Sequence, residues 1–420
     1  MKLFIVAVPL FNANMTVQAY DLRYHNSEKL FGMTQSYESF DGATYSPGID
    51  LLNLIGIEPF TGGKPIFVPI NKFLLLSDFY QSCKIPCEQM VCSLSTDITT
   101  EPIYFEKAKE LKTLGYQICL TNRSYKSDFT DFFNLADYYV IDTSKGDHVN
   151  EIKLIQNKFP RIRLILTNIK DKTHFNILKI VPRALYEGMF YNQPITKGVN
   201  KISPIKANSI QLLRIVQSED FEMDDVVDIL EKDAALSISL LKFINSPAIG
   251  LTSSVRSISH AVAMLGQIET RKWIVAAVSA YLADDKPNEI TKLSLTRAKF
   301  AENLAHYFEI KSDEHSLFLM GLFSLIDVIL DMPMDLALKE IAVAPSIHAA
   351  LTNQEGKFSD ILNLIKSYER ANWEKVSYIL LLNNINTESL NKAFVDSMLW
   401  YKELLEGIDG QQQGDTPNNT

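Results

Sequence analysis

The feature that most constrains the fold is a series of short apolar runs in the first 200 residues. From the third run onward the runs begin 22–26 residues apart, and the stretches between them have the pattern of helices. This spacing is typical of βα units whose parallel strands are buried on both faces. The predicted strands are residues 4–10, 65–70, 90–95, 116–121, 138–143, 162–168 and 184–190.

Seven or eight βα units close most simply into a (β/α) barrel, and an open doubly wound sheet is the alternative. The stretch 101–115 illustrates the helical part of a unit, because it ends at Gly115 and places four apolar side chains on one face. These side chains are Phe105, Ala108, Leu111 and Leu114. No GxGxxG or GxxxxGK[ST] motif follows the strands, so a phosphate-binding glycine loop is not predicted.

After a connection at 194–206 that contains Pro, Gly and Lys, the pattern becomes helical. The run 316–330 is apolar almost all round, which predicts a central helix of an all-α domain. The predicted domains are a barrel over 1–196, a helical domain over 197–407 and a disordered tail over 408–420. The fold class is therefore α/β followed by all-α.

Composition excludes several classes of protein. The chain has 41 basic and 50 acidic residues, a net charge of −9, which disfavours nucleic-acid binding. No stretch of about 18 or more uncharged apolar residues occurs, so membrane insertion is not predicted. Four cysteines in 420 residues favour a reducing compartment, hence the cytoplasm. Cys83 and Cys87 form a CxxxC without a second pair at zinc spacing, which favours a structural role.

Barrel enzymes carry their catalytic groups at the carboxyl ends of the strands, and few acids occur there. The polar residues at these ends are Ser93, Ser95, Thr121, Asn122, Arg123, Asp142, Thr167, Asn168 and Glu187. A hard divalent cation needs several oxygen ligands with carboxylates among them. No metal or cofactor is predicted. Asp142 and Glu187 are expected to cap a turn or pair with Lys or Arg, and the alternative is that one of them acts as a general base.

Other catalytic signatures are missing from the sequence. The seven histidines form no HxxxH, HExxH or His-Asp motif, and no GxSxG is present. Cys92 and Cys119 lie inside predicted buried strands, where a thiol is usually inert. The stretch "SDEH" at 312–315 is predicted to start a helix, with Ser312 as a possible N-cap.

The order of these motifs resembles that of bacterial EAL–HDOD signalling proteins over nearly the whole chain. "IVAVPLFNANMTVQAYDLRY", "GGKPIFVPI", "GYQICLT", "ADYYVID" and "YEGMFYNQP" are similar to EAL domains. "ILEKDAALSISLLKFINSPAIG", "VRSISHAVAMLG", "KWIVAAVSA" and "FLMGLFSLIDVIL" are similar to HDOD domains over about 203–404. The resemblance implies a modified TIM barrel that, in active relatives, hydrolyses cyclic di-GMP with two Mg²⁺ or Mn²⁺ ions.

The resemblance also assigns the active-site positions, and this chain departs at nearly all of them. Asp21 replaces a metal-binding Glu, Thr121-Asn122 replaces an Asp pair, and Val140 replaces a Lys. The remaining replacements are Pro69 for Asn, Ser93 for Glu, Thr167 and Lys170 for two Glu, and Glu187 for Gln. Thr, Asn, Ser and Pro lack the charge that holds Mg²⁺, and Lys170 would repel it.

The HDOD resemblance leads to a similar expectation for the helical half. HDOD domains resemble HD phosphohydrolases, and Ser324-Leu325 falls where their His-Asp pair would be. Asp233, Asn245 and Ser246 match HDOD positions, where capping and turn formation are favoured over ligand binding.

The sequence therefore predicts a regulator of the cyclic di-GMP network that is not an enzyme, acts through protein partners and can form oligomers. The alternatives are a receptor that binds cyclic di-GMP without hydrolysis and an active phosphodiesterase. The residues predicted to bind the phosphates and guanines of such a ligand are Arg23, Arg123, Lys170 and Tyr191.

Overall fold

A computed structural model describes residues 3–26, 47–121, 125, 127–193, 204–218, 220–245, 255–283 and 286–409. The described chain forms two compact units. The first unit comprises Met1–Gln193 with Lys366–Asn391, and the second comprises Pro194–Ile365 with Lys392–Thr420. Asn122, Arg123 and Ser246 lie outside the described residues, as do most of the predicted connection and the predicted tail.

The first unit is built on a closed barrel in which each strand pairs with its neighbours in chain order. The strands are β1 Leu3–Phe11, β2 Val17–Asn26, β3 Ile66–Ile70, β4 Met90–Leu94, β5 Gln117–Leu120, β6 Tyr138–Asp142, β7 Arg163–Ile169 and β8 Leu185–Gly188. This barrel confirms the predicted closed architecture over the open doubly wound sheet.

One strand departs from the regular barrel, because β1 runs antiparallel to both β2 and β8 while the other neighbours are parallel. The β1–β2 connection explains this direction. The Asn12 side chain accepts hydrogen bonds from the backbone N–H groups of Asn14 and Thr16, at 2.9 and 3.0 Å. So short a turn can only reverse the chain into a hairpin, whereas a parallel pair needs a crossover of a dozen residues or more.

Strand β2 was not among the strands that apolar runs predicted. Its polar residues Asp21 and Arg23 alternate with the buried Tyr20 and Leu22. Because charged side chains stand in the middle of this strand, its sequence does not predict a buried β-strand. The charged side chains point into the barrel interior, which forms only when the barrel closes.

Among the described residues, seven helices accompany the barrel strands, and the other helices belong to the second half of the chain. The first group is α1 Pro47–Ile55, α2 Glu58–Thr61, α3 Lys72–Leu76, α4 Pro102–Thr113, α5 Thr130–Leu135, α6 His148–Lys158 and α7 Lys172–Leu178. Ala108 and Leu111 of α4 are buried as predicted, but Leu114 is exposed because the helix ends at Thr113.

The second half is helical in every described element. Its helices are α8 Pro204–Ile215, α9 Met223–Leu230, α10 Ala234–Ile244, α11 Ile258–Leu282, α12 Asn288–Leu304, α13 Glu314–Phe323, α14 Ile326–Leu330, α15 Met334–Ile341, α16 Pro345–Thr352, α17 Ser359–Glu369, α18 Trp373–Leu382 and α19 Thr387–Asp409. In both halves of the described chain, single 3₁₀ turns also occur; they span Phe79–Gln81, Cys87–Gln89, Ser127–Phe129, Met189–Asn192 and Lys311–Asp313. None of the described helices is both long and apolar enough to cross a bilayer.

Several local predictions can be compared with this helical half. Ser257 caps α11 by accepting a hydrogen bond from His260, and Gly266 interrupts that helix with a φ of 72°. The predicted central run divides into α13 and α14, with Ser324-Leu325 between them. Ser312 is not the N-cap of α13, because the chain first makes a 3₁₀ turn and Asp313 takes that position.

The segment Lys366–Asn391 lies beyond most of the helical half in sequence but clusters with the barrel. The Tyr368 hydroxyl accepts a 3.1 Å hydrogen bond from the backbone N–H of Ile5 in β1. Trp373 stacks on Phe4 with ring centroids 5.4 Å apart, and Tyr368 contacts the same ring edge-on. β1 pairs with β8 at Phe11 alone, so most of this edge of β1 has no strand hydrogen-bonded to it. The segment Lys366–Asn391 covers that edge.

Candidate functional site

The candidate site is the carboxyl-terminal end of the barrel interior. Below it lies an apolar layer made of Leu10, Ala19, Phe67, Val91, Cys119, Tyr138, Ile165 and Leu185. Side chains two residues apart in a strand point to the same face. Seven predicted site positions stand two residues after a member of this layer, and they form the next ring toward the mouth. They are Asp21, Pro69, Ser93, Thr121, Val140, Thr167 and Glu187.

An arginine joins the two acids of this ring. The Arg23 Nε donates to Asp21 Oδ2 at 3.0 Å, and the Arg23 Nη2 lies 3.3 Å from Glu187 Oε2. Asp21 and Arg23 are on β2 and Glu187 is on β8, so the guanidinium reaches across the antiparallel β1 that lies between them. Glu187 is buried, whereas the side chains of Asp21 and Arg23 each keep 31% of their surface exposed.

The network continues from Glu187 to the ends of β7 and β6. Glu187 Oε2 also accepts a 3.1 Å hydrogen bond from the backbone N–H of Asn168. The Asn168 Nδ2 donates to Asp142 Oδ1 at 2.8 Å, and Asp142 in turn accepts from the backbone and hydroxyl of Ser144. Asn168 has a φ of 61°, in the left-handed region that Asn tolerates better than most residues. Asp142 is thus hydrogen-bonded at a turn and Glu187 is paired with an arginine.

Burial and pairing act in opposite directions on the groups of this cluster. Burial in the barrel raises the pKa of Asp21 above its usual value, although Arg23 opposes the shift. Burial alone would lower the pKa of Arg23, but the Asp21 and Glu187 carboxylates raise it. Arg23 is therefore a permanent positive charge in the mouth.

The remaining ring positions supply hydroxyl groups and the aliphatic side chains of Pro69 and Val140. Thr121 donates to the carbonyl of Leu94 at 3.0 Å, and Thr167 donates to that of Ile141 at 3.4 Å. Both hydroxyls thus bind the neighbouring strand. Ser93 is buried, and Val140 packs on the apolar layer below.

Two predicted ligand-binding residues do not join Arg23 in this cluster. Lys170 is exposed in the loop after β7, and its carbonyl accepts a 3.0 Å hydrogen bond from Gln193. Tyr191 is 9% exposed, with its ring 4.7 Å from that of Phe11. The Tyr191 ring packs on the core in this structure, and its stacking on a guanine stays a prediction. Arg123 lies outside the described residues.

The two metal ions that the EAL resemblance implies do not fit these donors. Among the described residues, no group of three or more His, Cys, Asp or Glu side chains could hold a metal ion. Asp21 and Glu187 already neutralise Arg23, and one oxygen of Glu187 also accepts from Asn168. The described donors of this ring therefore do not form a two-metal centre.

In the helical unit, the predicted positions take structural roles. Asp233 Oδ1 accepts a 3.1 Å hydrogen bond from the backbone of Leu236 and so caps α10. The Asn245 side chain exchanges hydrogen bonds of 2.7 and 2.8 Å with the backbone of Val255. Ser324 is buried, donates to the Gly321 carbonyl and accepts a 3.0 Å hydrogen bond from Arg297.

Comparison with protein families identifies this helical part. Residues 202–366 match the HDOD domain model. This chain contains an HDOD domain. The HDOD match follows the closed barrel along the chain, which confirms the predicted fold class and the predicted order of the two halves.

Two curated relatives match nearly the whole chain. One is the cyclic di-GMP phosphodiesterase CdgJ of Vibrio cholerae, 24% identical over 96% of this chain and 93% of the relative. The other is YuxH of Bacillus subtilis, an uncharacterised protein, 28% identical over 97% of this chain and 100% of the relative.

The name of CdgJ contradicts the prediction that the chain is not an enzyme. That prediction was wrong in extending the missing carboxylates of one ring to the activity of the whole protein. Side chains outside that ring also contribute to what a barrel mouth can bind or convert.

Solved EAL structures are similar to part of this chain. The EAL enzyme Bd1971 bound to cAMP and cyclic di-GMP has a TM-score of 0.35 at 12% identity, covering 46% of this chain and 62% of that chain. The FimX EAL domain of Pseudomonas aeruginosa bound to cyclic di-GMP has a TM-score of 0.34 at 15% identity, covering 46% and 90%.

Proposed function

We propose that this protein is a regulator in the cyclic di-GMP network that acts on its targets through protein–protein contacts. The observation that carries the proposal is the similarity to CdgJ over both halves of the chain. We place this action in the cytoplasm, as the low cysteine content favours.

An apolar surface on α18 supports contact with a protein partner. Tyr378, Leu381 and Leu382 are 62%, 61% and 66% exposed. Residues three and four positions apart share one face of a helix, so these side chains form a single patch. Contiguous exposed apolar surface of this kind is typical of sites where proteins associate.

The contact proposal can be tested by capture of partners on the full-length protein. A Leu381→Ser/Leu382→Ser variant keeps the buried face of α18 and is expected to lose the specific partners that the wild type retains. Glu374→Ser/Lys375→Ser, on exposed positions of the same helix, serves as the matched control. Equal capture by all three proteins would contradict a role for this face.

Hydrolysis of cyclic di-GMP is a second candidate function, favoured by the name of CdgJ. The barrel mouth is the place for it, because the polar ring and Arg23 lie there. Asp21 and Glu187 are paired with Arg23 in this mouth. Hydrolysis would either leave these ion pairs intact or first break them.

Two measurements on the full-length protein separate these functions. Calorimetric titration with cyclic di-GMP tests binding, and chromatography of the nucleotide after incubation with Mg²⁺ or Mn²⁺ tests conversion to the linear dinucleotide. Binding and conversion over many turnovers would establish the second candidate. Heat of binding with unchanged nucleotide would support a ligand-responsive regulator, and no heat at micromolar ligand would remove cyclic di-GMP as the ligand of this chain.

A further inference from the structure

The Asp21–Arg23–Glu187 cluster has a consequence for the kind of cation that the barrel mouth holds. Both carboxylates lie within 3.3 Å of one guanidinium, and the Glu187 side chain is buried. Two carboxylates in a partly desolvated interior repel each other unless a positive charge lies between them. Arg23 supplies that charge from within the chain.

The geometry of the arginine suits this position. A guanidinium is planar, presents several N–H donors in a fixed arrangement and keeps its charge at every pH at which proteins fold. Arg23 uses Nε for Asp21 and Nη2 for Glu187, so different donors of the same group serve the two acids. The contact also joins β2 to β8, whose common neighbour β1 bonds to β8 through one residue pair.

A divalent cation at the same carboxylates would meet two obstacles. Asp21 and Glu187 would have to release Arg23, which would leave a guanidinium beside the metal, and like charges at such distances repel strongly. Glu187 Oε2 would also have to give up the Asn168 backbone N–H, which is then left without an acceptor.

We infer that Arg23 is the resident cation of the barrel mouth: it pairs with both Asp21 and Glu187, reduces their mutual repulsion and positions β2 against β8, in the place where EAL enzymes use divalent metal. Arg23 is a positioning residue in this inference. The inference goes beyond the proposed function, because it concerns what holds the mouth together whether or not a nucleotide binds there.

The test compares thermal unfolding of full-length variants. Arg23→Met keeps the length of the side chain and removes its charge, so the midpoint of unfolding is expected to fall by several degrees. The Arg23→Met/Asp21→Asn/Glu187→Gln variant removes the two acids as well and is expected to regain most of that loss. Arg161→Met, at an exposed arginine before β7, is the control and should leave the midpoint unchanged.

Two results would overturn the inference. The first is a triple variant that is no more stable than Arg23→Met, because the loss would then come from packing rather than from unneutralised acids. The second is saturable Mn²⁺ binding by the wild type, measured by calorimetry, that Glu187→Gln abolishes. If Arg23→Met does not fold, Arg23→Lys replaces it: a retained charge without the two-sided contact should give a midpoint below that of the wild type, and an equal midpoint would also overturn the inference. Cyclic di-GMP is absent from all these samples, so the outcome is independent of the proposed function.

Discussion

At the scale of single residues, Gly188 shows how closely the mouth is built. It follows Glu187 at the end of β8, with a φ of 153°, and pairs with Ile169 after the irregularity in β7. A Cβ at position 188 would lie 2.1 Å from the Ile169 carbonyl oxygen and 2.7 Å from its nitrogen. The backbone itself therefore demands glycine here.

We predict that Gly188→Ala lowers the free energy of unfolding by about 2–3 kcal/mol, because overpacking against backbone cannot be relieved by a side-chain rotation. Gly146→Ala is the control, since its Cβ would meet nothing within 4 Å and its φ is not positive. Chemical denaturation measures both. A Gly188→Ala protein as stable as the control would contradict the close approach of β7 and β8.

His315, near the start of α13, gives a prediction for pH. Burial lowers its pKa to about 4, with Arg271 and Lys272 adding to the effect. Because the unfolded chain has the ordinary value near 6.5, it binds more protons than the folded protein between these two pH values. Stability is then fully present above about 6.5 and is lost as the pH falls toward 4.

The expected loss is about 1–3 kcal/mol for this one group, with part of the ring still near solvent. Urea denaturation of the full chain at several pH values between 4 and 7 measures it. His315→Leu should flatten this part of the profile. An identical slope in the variant would assign the pH dependence to other groups.

At the scale of elements, α12 and α13 pack unusually closely at Gly321. A Cβ there would lie 2.4 Å from the Arg297 carbonyl oxygen and 2.6 Å from the Ala298 Cα, both backbone atoms of α12. Three residues later, the Arg297 side chain donates to Ser324 at 3.0 Å, just after α13 ends. The position predicted to replace a His-Asp pair, Ser324-Leu325, therefore adjoins a helix-packing contact.

Gly321→Ala is therefore expected to destabilise the helical unit, even though alanine favours a helix more than glycine by about 1 kcal/mol. The clash with backbone should outweigh this gain and leave a net loss of about 1–2 kcal/mol. Glu314→Ala, exposed in the first turn of the same helix, is the control. A rise in the unfolding midpoint of Gly321→Ala would show that α12 and α13 can separate at little cost.

Most elements were predictable because their residues carry a local signal. The apolar runs at β3 to β8 mark strands buried on both faces, and the Ser257 and Asp233 caps mark helix starts. β2 was not found, since its charged residues face a barrel interior that no local pattern reveals. The Ser312 cap was wrong because a 3₁₀ turn competes for the same residues.

At the scale of the whole molecule, the segment Lys366–Asn391 joins the N-terminal strand β1 within the first unit. Tyr368 is fully buried and accepts from the Ile5 N–H, which would otherwise be an unpaired donor on the edge of β1. We predict that Tyr368→Phe costs about 1–3 kcal/mol, because the buried N–H then has no acceptor. Hydrogen exchange should become faster at the amide of Ile5.

Tyr378→Phe provides the matched control, since it removes an exposed hydroxyl from the next helix. It should change neither the free energy of unfolding nor the hydrogen exchange of β1. If both variants exchange alike at Ile5, the segment Lys366–Asn391 does not protect this edge.

The predicted domain boundary near residue 196 remains a prediction, while the inclusion of Lys366–Asn391 with the barrel was not foreseen.

The sequence by itself determined the order of a barrel and a helical domain, the Asp233 cap and most strands of the barrel. Each of these follows from patterns within a few residues, chiefly the alternation along strands that points every second side chain inward. Only the tertiary structure decided that Arg23 lies between Asp21 and Glu187, that Tyr191 is buried, and that residues after the HDOD domain complete the first unit. Those contacts join residues far apart in the chain, and their geometry exists only once the barrel has closed.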